Sequence, residues 1–324
     1  VDEMNLVDIY MQVKSDVTYI ERELERAIKP ESRELYQSST HLLKAGGKRI
    51  RPVFVLLAGK FGDYNVQNLS QIAVPLELIH MATLVHDDVV DDANKRRGKD
   101  TVRTKWDNRV AMYSGNYILA RALSIVTQLS NPEIHQILSK AIVEMCKGEI
   151  EQVRDLGNWN QGLRNYLRRI KRKTALLIAI SCQLGAVATN ASADVVRRMY
   201  HFGYNVGMAF QITDDILDFT GTEKQLGKPA GSDLRQGNVT LPALFSAYQG
   251  STKDIFQEWM RTGEINSRIE QAIPLIHQGE GIAYSQALAE RYIDRAKQAL
   301  TDLPASPTKK SLMQIADYIG GRKF

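Results

Sequence analysis

Residues 70–92 read SQIAVPLELIHMATLVHDDVVDD, an apolar run that closes on four aspartates within six positions. A stretch this long and this apolar, ending in charge, predicts one long helix with an acidic end. Pro75 sits inside it and is expected to bend the helix or to remove one early hydrogen bond. Asp87, Asp88 and Asp91 stand at i, i+1 and i+4, so the first and third share a helical face about 6 Å apart. Like charges at that spacing repel, and carboxylates near a helix C-terminus oppose the helix dipole. The pattern asks for a counter-charge.

It also returns. Residues 214–218, DDILD, place Asp214, Asp215 and Asp218 at the close of another apolar run. Each copy precedes a polar loop with basic residues and glycine, ANKRRGKDTVR at 93–103 and GTEKQLGKPAGSDLRQGNVT at 221–240, the latter mobile by composition. One DDxxD string alone is as readily surface charge at a helix end as it is a site. Two copies with the same kind of loop behind them favour two walls of one site, which only the fold can bring together. Carboxylates with open coordination positions suit magnesium, which keeps several waters and binds phosphate oxygens beside one or two carboxylates.

The remaining pattern is helical. Ile9, Val13, Val17, Ile20, Leu24 and Ile28 recur every three or four residues, and Pro30 stops them. A second helix is expected from about Glu34 to Ala45-Gly46-Gly47, with others over about 111–129, 133–154, 161–187 and 192–219, and several in the C-terminal third. No β-α-β rhythm and no glycine-rich dinucleotide motif competes, so the fold class is all-α. With 324 residues, 44% hydrophobic and 24% charged, the chain suits a globular protein with a substantial core, not a disordered or disulfide-stapled one. Cys146 and Cys182 lack metal-ligand spacing and are expected to be buried thiols. The start, VDEMNLVDIYMQ, shows no secretory pattern, and the most apolar stretches, such as 175–180, are expected to fall short of a bilayer span. A cytoplasmic location with at most transient membrane contact is the default. The net charge of +5 decides nothing about partners; the placement of the basic residues does.

In GGKRIRP, residues 46–52, the glycines allow close backbone approach, and Lys48 and Arg51 converge on one anion if the turn continues helically. His80 lies seven residues before Asp87, two turns down the same face. In RRIKRKTA, residues 168–175, Leu163, Leu167, Ile170, Thr174 and Leu177 form an apolar stripe. Most of Arg168, Arg169, Lys171 and Arg172 are expected to be a solvated basic face. Gln211 stands three residues before Asp214, beside that acidic face.

GGKRIRP, DDVVD at 87–91 with RRG at 96–98, KTA at 173–175, and Phe210-Gln211 ahead of DDILD form an ordered set. The set spans nearly the whole chain and resembles the trans-polyprenyl diphosphate synthases. That resemblance implies an isoprenoid-synthase-type helical bundle around a deep central cavity, with residues 1–324 as a single domain. It implies magnesium, three ions per active site during turnover, held by Asp87, Asp88, Asp91, Asp214, Asp215 and Asp218. Asp87, Asp91 and Asp214 are the foremost ligands; the other three divide between ligation, water binding and orientation. The same resemblance assigns isopentenyl diphosphate to Lys48, Arg51, His80 and Arg97. It assigns the allylic diphosphate to Arg96, Lys173, Thr174, Gln211 and Lys228, with Lys173 also part of the catalytic set. Asn238 and Asn116 depart from the family's usual lysine and aspartate, the first near the active site, the second at a helix contact.

Leu76, Ile79, Ala82 and Thr83 precede the first motif and are expected to line the pocket that sets product length. Short-chain relatives commonly carry an aromatic residue four or five positions before the motif; here those positions are Thr83 and Ala82. A long product is therefore expected, and the resemblance narrows it to about seven units, built on an allylic primer such as farnesyl diphosphate for a quinone (menaquinone) side chain. Hexaprenyl or another long chain is the alternative. QGNVTLP also resembles family members that act with a small noncatalytic component, so a catalytic homodimer and a heterodimer with such a component I both stay open. A terpene cyclase is the nearest enzyme rival, disfavoured by the second DDILD and by Lys48 with Arg51. A squalene-type condensing enzyme is disfavoured on the same grounds. A nucleic-acid-binding module would rest on Arg168 to Lys173 alone, while the acidic pairs repel phosphate unless metal intervenes. A weakly catalytic scaffold in a hetero-oligomer is the remaining contrast.

Overall fold

The computed structural model describes residues 11–29, 32–96, 98–222 and 229–321. Among these residues, everything regular is helical except one hairpin of two-residue strands. They fall into two compact units.

The first unit takes in the described parts of Val1–Lys140, with Leu177–Tyr200 and Leu303–Leu312. A 3-10 turn, Met11–Val13, leads into α1 (Lys14–Ala27), followed by α2 (Arg33–Lys44), α3 (Ile50–Gly59) and α4 (Val66–Val90). The early apolar period does what its spacing predicts: Val13, Ile20, Leu24 and Ile28 are fully buried, while Ile9 and Pro30 lie outside the described residues. Each such side chain contributes about 1.5–3 kcal/mol on burial.

Helix α3, IRPVFVLLAG, has no amphipathic period, which is why periodicity does not announce it. From Arg51 to Gly59 every residue is buried, as a helix apolar on all sides must be. Gly185 lets another helix, α9 (Leu176–Ala188), reach it, because a Cβ there would lie 2.3 Å from the Val55 carbonyl oxygen. Asn65 caps α4 by accepting from Asn68 N at 2.9 Å, and Pro75 stays within the helix. The expectation that no segment reaches bilayer length needs correction. Val66–Val90 is long and apolar enough, but 72% of its most apolar window is buried inside the protein, which marks a core helix.

After α4 come strands β1 (Lys95–Arg96) and β2 (Lys99–Asp100), the short α5 (Val102–Lys105), α6 (Asn108–Val126) and α7 (Pro132–Arg154). Asp107 caps α6, accepting from Val110 N at 2.7 Å. Such caps contribute about 1 kcal/mol each.

The second unit takes in Ala141–Leu176, His201–Asp302 and the described part of Met313–Phe324. It holds α8 (Leu163–Ile170), a π-helical turn (Lys171–Ala175), most of α10 (Ala193–Thr220) and the short α11 (Ser232–Arg235). Further helices are α12 (Leu241–Tyr248), α13 (Lys253–Thr262), α14 (Ile269–Gln278), α15 (Gly281–Leu300) and the part of α16 (Pro307–Gly320) from Met313 onward. Tyr166, Phe202, Phe219 and Phe256 are its largest fully buried side chains. Both cysteines are free; Cys182 is buried as expected, but Cys146 is exposed on α7 beside buried Met145, one residue's rotation away.

Candidate active site

In the first unit, the acidic motif occupies the last turns of α4. Asp87 and Asp91 are half-buried, while Asp88, turned about 100° from Asp87, is buried. Arg96 on β1 brings two guanidinium nitrogens to 2.7 Å from Asp88 Oδ1. Burial pushes the Asp88 carboxyl above its usual range; Arg96 opposes that rise, and Asp87 and Asp91 add to it. Asp92 then leaves the helix at φ 53, and Arg103 holds its carboxylate at 2.8 Å.

The hairpin is tied to the end of α2. Lys99 Nζ donates to the Lys44 carbonyl at 3.1 Å, and His41 Nε2 donates to the Asp100 carbonyl at 2.7 Å. These bonds bring the 46–52 motif and the β1–β2 hairpin that carries Arg96 to one end of the unit. The loop between α2 and α3 is not a helical turn, however. Gly46, Gly47 and Arg49 all have positive φ, at 82°, 154° and 47°. Lys48 is consequently exposed in the loop, whereas Arg51 is buried in the first turn of α3.

Arg49 is the residue that sequence reasoning passed over here. It is buried, and it donates to the Leu43 carbonyl at 3.0 Å, to Glu77 Oε1 at 3.3 Å and to Glu21 Oε1 at 3.3 Å. Glu77 on α4 is itself buried. The only forewarning was an arginine between two glycines and an apolar run. Lower on α4, His80 is half-buried and its carbonyl accepts from Thr83 Oγ1 at 2.8 Å. Leu76, Ile79 and Ala82 are buried and Thr83 is half-buried. Arg97 and Lys228 lie outside the described residues.

In the second unit, Asp214 is half-buried near the end of α10, with Asp215 and Asp218 buried. Tyr166 OH donates to Asp215 Oδ2 at 2.6 Å, and Gln211 Nε2 donates to Asp215 Oδ1 at 2.9 Å. Thr174 Oγ1 in turn donates to Gln211 Oε1 at 2.6 Å. Burial lifts the Asp215 carboxyl to about 7, against the two hydrogen bonds that favour its charge. Asp218 Oδ2 accepts from Asp233 N at 3.1 Å, and its carbonyl accepts from Gly231 N at 2.7 Å, which pins the described end of the following loop.

Lys173 and Thr174 both fall in the π turn, a widening of the helix that is frequent at functional sites. Lys173 Nζ donates to Gln152 at 2.8 Å on α7. The basic run before it is a solvated face only in part: Arg168 is exposed, while Lys171 and Arg172 are half-buried. Arg169 is buried, donating to Gln161 at 2.7 Å and to the Val239 carbonyl at 2.8 Å. Arg172 pairs with Glu144 at 2.8 Å and Glu151 at 2.6 Å. Leu163 is 39% exposed. Ile170, Thr174 and Leu177 of the expected stripe are buried, but Tyr166 and Arg169 share the inward face of α8 with Ile170. Asn116 is exposed and Asn238 half-buried, the latter's N–H donating to the Asp233 carbonyl at 2.8 Å.

Among the described residues no three His, Cys, Asp or Glu side chains form a metal-binding group. That still fits magnesium, which in phosphate sites takes one or two carboxylates and fills its octahedron with water and substrate oxygens. Half-buried Asp87 and Asp91, four residues apart, and Asp214 are oxygen donors of that kind.

The family model described as Polyprenyl synthetase matches residues 32–276. The chain is 51% identical over 324 residues to heptaprenyl diphosphate synthase component 2 of Bacillus subtilis, covering 100% of this chain and 93% of that protein. The crystal structure of heptaprenyl diphosphate synthase from Staphylococcus aureus matches with a TM-score of 0.86 at 40% identity, over 95% of this chain and 98% of that one. Polyprenyl synthase from Caulobacter crescentus, solved with calcium and isoprenyl diphosphate, matches with a TM-score of 0.91 at 30% identity, over 99% of both chains.

Proposed function

Because this chain belongs to the polyprenyl synthetase family, we propose that it makes heptaprenyl diphosphate for a quinone side chain from farnesyl and isopentenyl diphosphates. The reaction itself is that of a magnesium-dependent trans-prenyltransferase with the family's all-α bundle: an allylic diphosphate is condensed with isopentenyl diphosphate. Bound magnesium neutralises charge on the departing diphosphate. The allylic carbon–oxygen bond breaks with its electron pair leaving on that diphosphate. The double bond of isopentenyl diphosphate attacks the cationic carbon, and loss of a proton forms the new trans double bond.

In this reading Asp87, Asp91 and Asp214 hold the metal, three ions per site, and no aspartate acts as a nucleophile. Lys173, Thr174 and Gln211, with Arg96 and Lys228, bind the allylic diphosphate. Lys48, Arg51, His80 and Arg97 bind isopentenyl diphosphate. Substituting Lys48 or Arg51 by alanine is expected to raise the KM for isopentenyl diphosphate at least tenfold, on the order of one lost charged hydrogen bond. The allylic KM should move much less, and separate titrations of the two substrates check the division.

One observation carries the product length. Below Asp87 the helix carries Thr83 and Ala82, then Ile79 and Leu76; in this reading they line the path of the growing chain, which a bulky ring at Thr83 or Ala82 would close. That span is eleven residues, roughly 17 Å of rise. Ala82→Phe is expected to shorten products while preserving the first condensation. Chromatography of dephosphorylated products tests both points: wild type should end near seven units, and the variant below it. A wild-type end point at four units, or an unchanged distribution in an active variant, would reject the assignment.

Partnership belongs to the same proposal. The Bacillus relative is called component 2, and α6 leaves Met112, Tyr113 and Leu123 exposed. These support pairing of two catalytic copies or of one copy with a small noncatalytic component. Long-chain synthesis should therefore rise when extract supplying that component is added.

A further inference from the structure

Three contacts run in register between the π turn region and α10. Gly207, Gln211 and Asp215 are spaced by four, so they lie along one face of α10. Opposite them stand Ala175, Thr174 and Tyr166, in descending order. Gly207 sets the separation, because a Cβ on it would lie 2.6 Å from Ala175 Cα. The other two pairs are hydrogen-bonded into one chain that ends on Asp215.

Both oxygens of Asp215 are engaged, one by Tyr166 and one by Gln211. Both groups donate to Asp215, so Gln211 turns its amide nitrogen toward the carboxyl and its oxygen toward Thr174. Thr174 then meets an acceptor and gives it its hydroxyl proton. The orientation of Gln211 and the rotamer of Thr174 are thus set from the far end. Tyr166 is fully buried, eight residues before Thr174 in the chain.

From this geometry we infer that Tyr166 is a positioning residue: through Asp215 and Gln211 it fixes Thr174 in the subsite for the allylic diphosphate. This inference rests on the proposed assignment of Thr174 and Gln211 to that diphosphate. It also gives Asp215 a different task from Asp214. Asp215 anchors the chain of bonds, and Asp214 is the residue of this motif that would hold the metal.

The test is a double-mutant cycle on Tyr166→Phe and Thr174→Val, read by the KM of each substrate and by calorimetric binding of inorganic pyrophosphate with magnesium. Tyr166→Phe keeps the ring and removes one donor from a buried carboxylate, so the allylic KM should rise about tenfold and pyrophosphate affinity should fall by a similar factor. The KM for isopentenyl diphosphate should stay within about twofold, and the double variant should be no worse than the weaker single, since linked groups are non-additive. Additive effects, or equal rises in both KM values, would overturn the inference. If Thr174→Val weakens allylic binding while Tyr166→Phe does nothing, the positioning role fails and the subsite assignment stands. If Thr174→Val itself leaves the allylic KM and pyrophosphate binding unchanged, the subsite assignment fails with it. Should Tyr166→Phe not fold, Asp215→Asn replaces it in the same cycle, with non-additivity again expected and additivity again decisive against.

Discussion

Alanine at Asp87 or Asp214 is expected to lower turnover by about a thousandfold or more at saturating substrate and magnesium, with helical content unchanged. The size follows from what the groups would hold. Metal stabilisation of a leaving diphosphate supplies several kcal/mol, and each 1.36 kcal/mol is a factor of ten in rate. The preserved fold follows from their setting. Both side chains are half-buried, and each lies beside another carboxylate of its own motif, so removal relieves repulsion at a helix C-terminal end. Stability should hold or rise slightly in the metal-free protein. Steady-state rates and circular dichroism on the same samples check both halves, and near-normal rates would reject the metal assignment. Asp88, paired to Arg96 in a buried site, is a contrasting position. Its loss should cost stability as well as rate.

The second large effect concerns stability. Arg49→Met is expected to destabilise the protein by about 3–5 kcal/mol, the range for removing one partner of a buried ion pair. Glu77 lies on the core helix α4 at 2% exposure, and Arg49 from the α2–α3 loop pairs with it at 3.3 Å. Without Arg49 the buried carboxylate loses this partner, and the Leu43 carbonyl loses its donor. Arg49→Met with Glu77→Leu should recover most of the loss, since neither charge is then left alone. Urea titrations of the two variants test this, and a single variant with wild-type stability would dismiss the pair as a structural element. A loosened loop should also raise the KM for isopentenyl diphosphate, because Lys48 precedes Arg49 and Arg51 follows it.

Much of the fold and of the site was open to reading. Helices with one apolar face announced themselves through their period, as with Val13 to Ile28 and the run up to Asp91. The repeated DDxxD spacing exposed both acidic groups, because mutual repulsion on one helical face makes little sense without a cation. Helix α3 escaped because an apolar run buried on all sides carries no period. The π turn escaped because i→i+5 bonding leaves no mark in composition. Drawing 163–177 as regular α-helix placed Leu163 inward and Arg169 outward, and the structure has them the other way round.

The sequence by itself determined the helical class, the two acidic groups, the basic residues set around them and the family. Those properties depend on residue type and local spacing, which the chain carries whether or not it is folded. Tertiary structure decided which charges face one another and which are put to structural use. Arg96 on Asp88, Arg49 on Glu77, Tyr166 on Asp215 and Thr174 on Gln211 all pair residues brought together by tertiary packing, whereas Gln211 and Asp215 are one turn apart on α10. Burial makes these pairings compulsory, since a polar group removed from water must find its partner inside the protein. Which partner it finds depends on where the backbone passes, and two glycines, Gly185 and Gly207, let that backbone pass close enough.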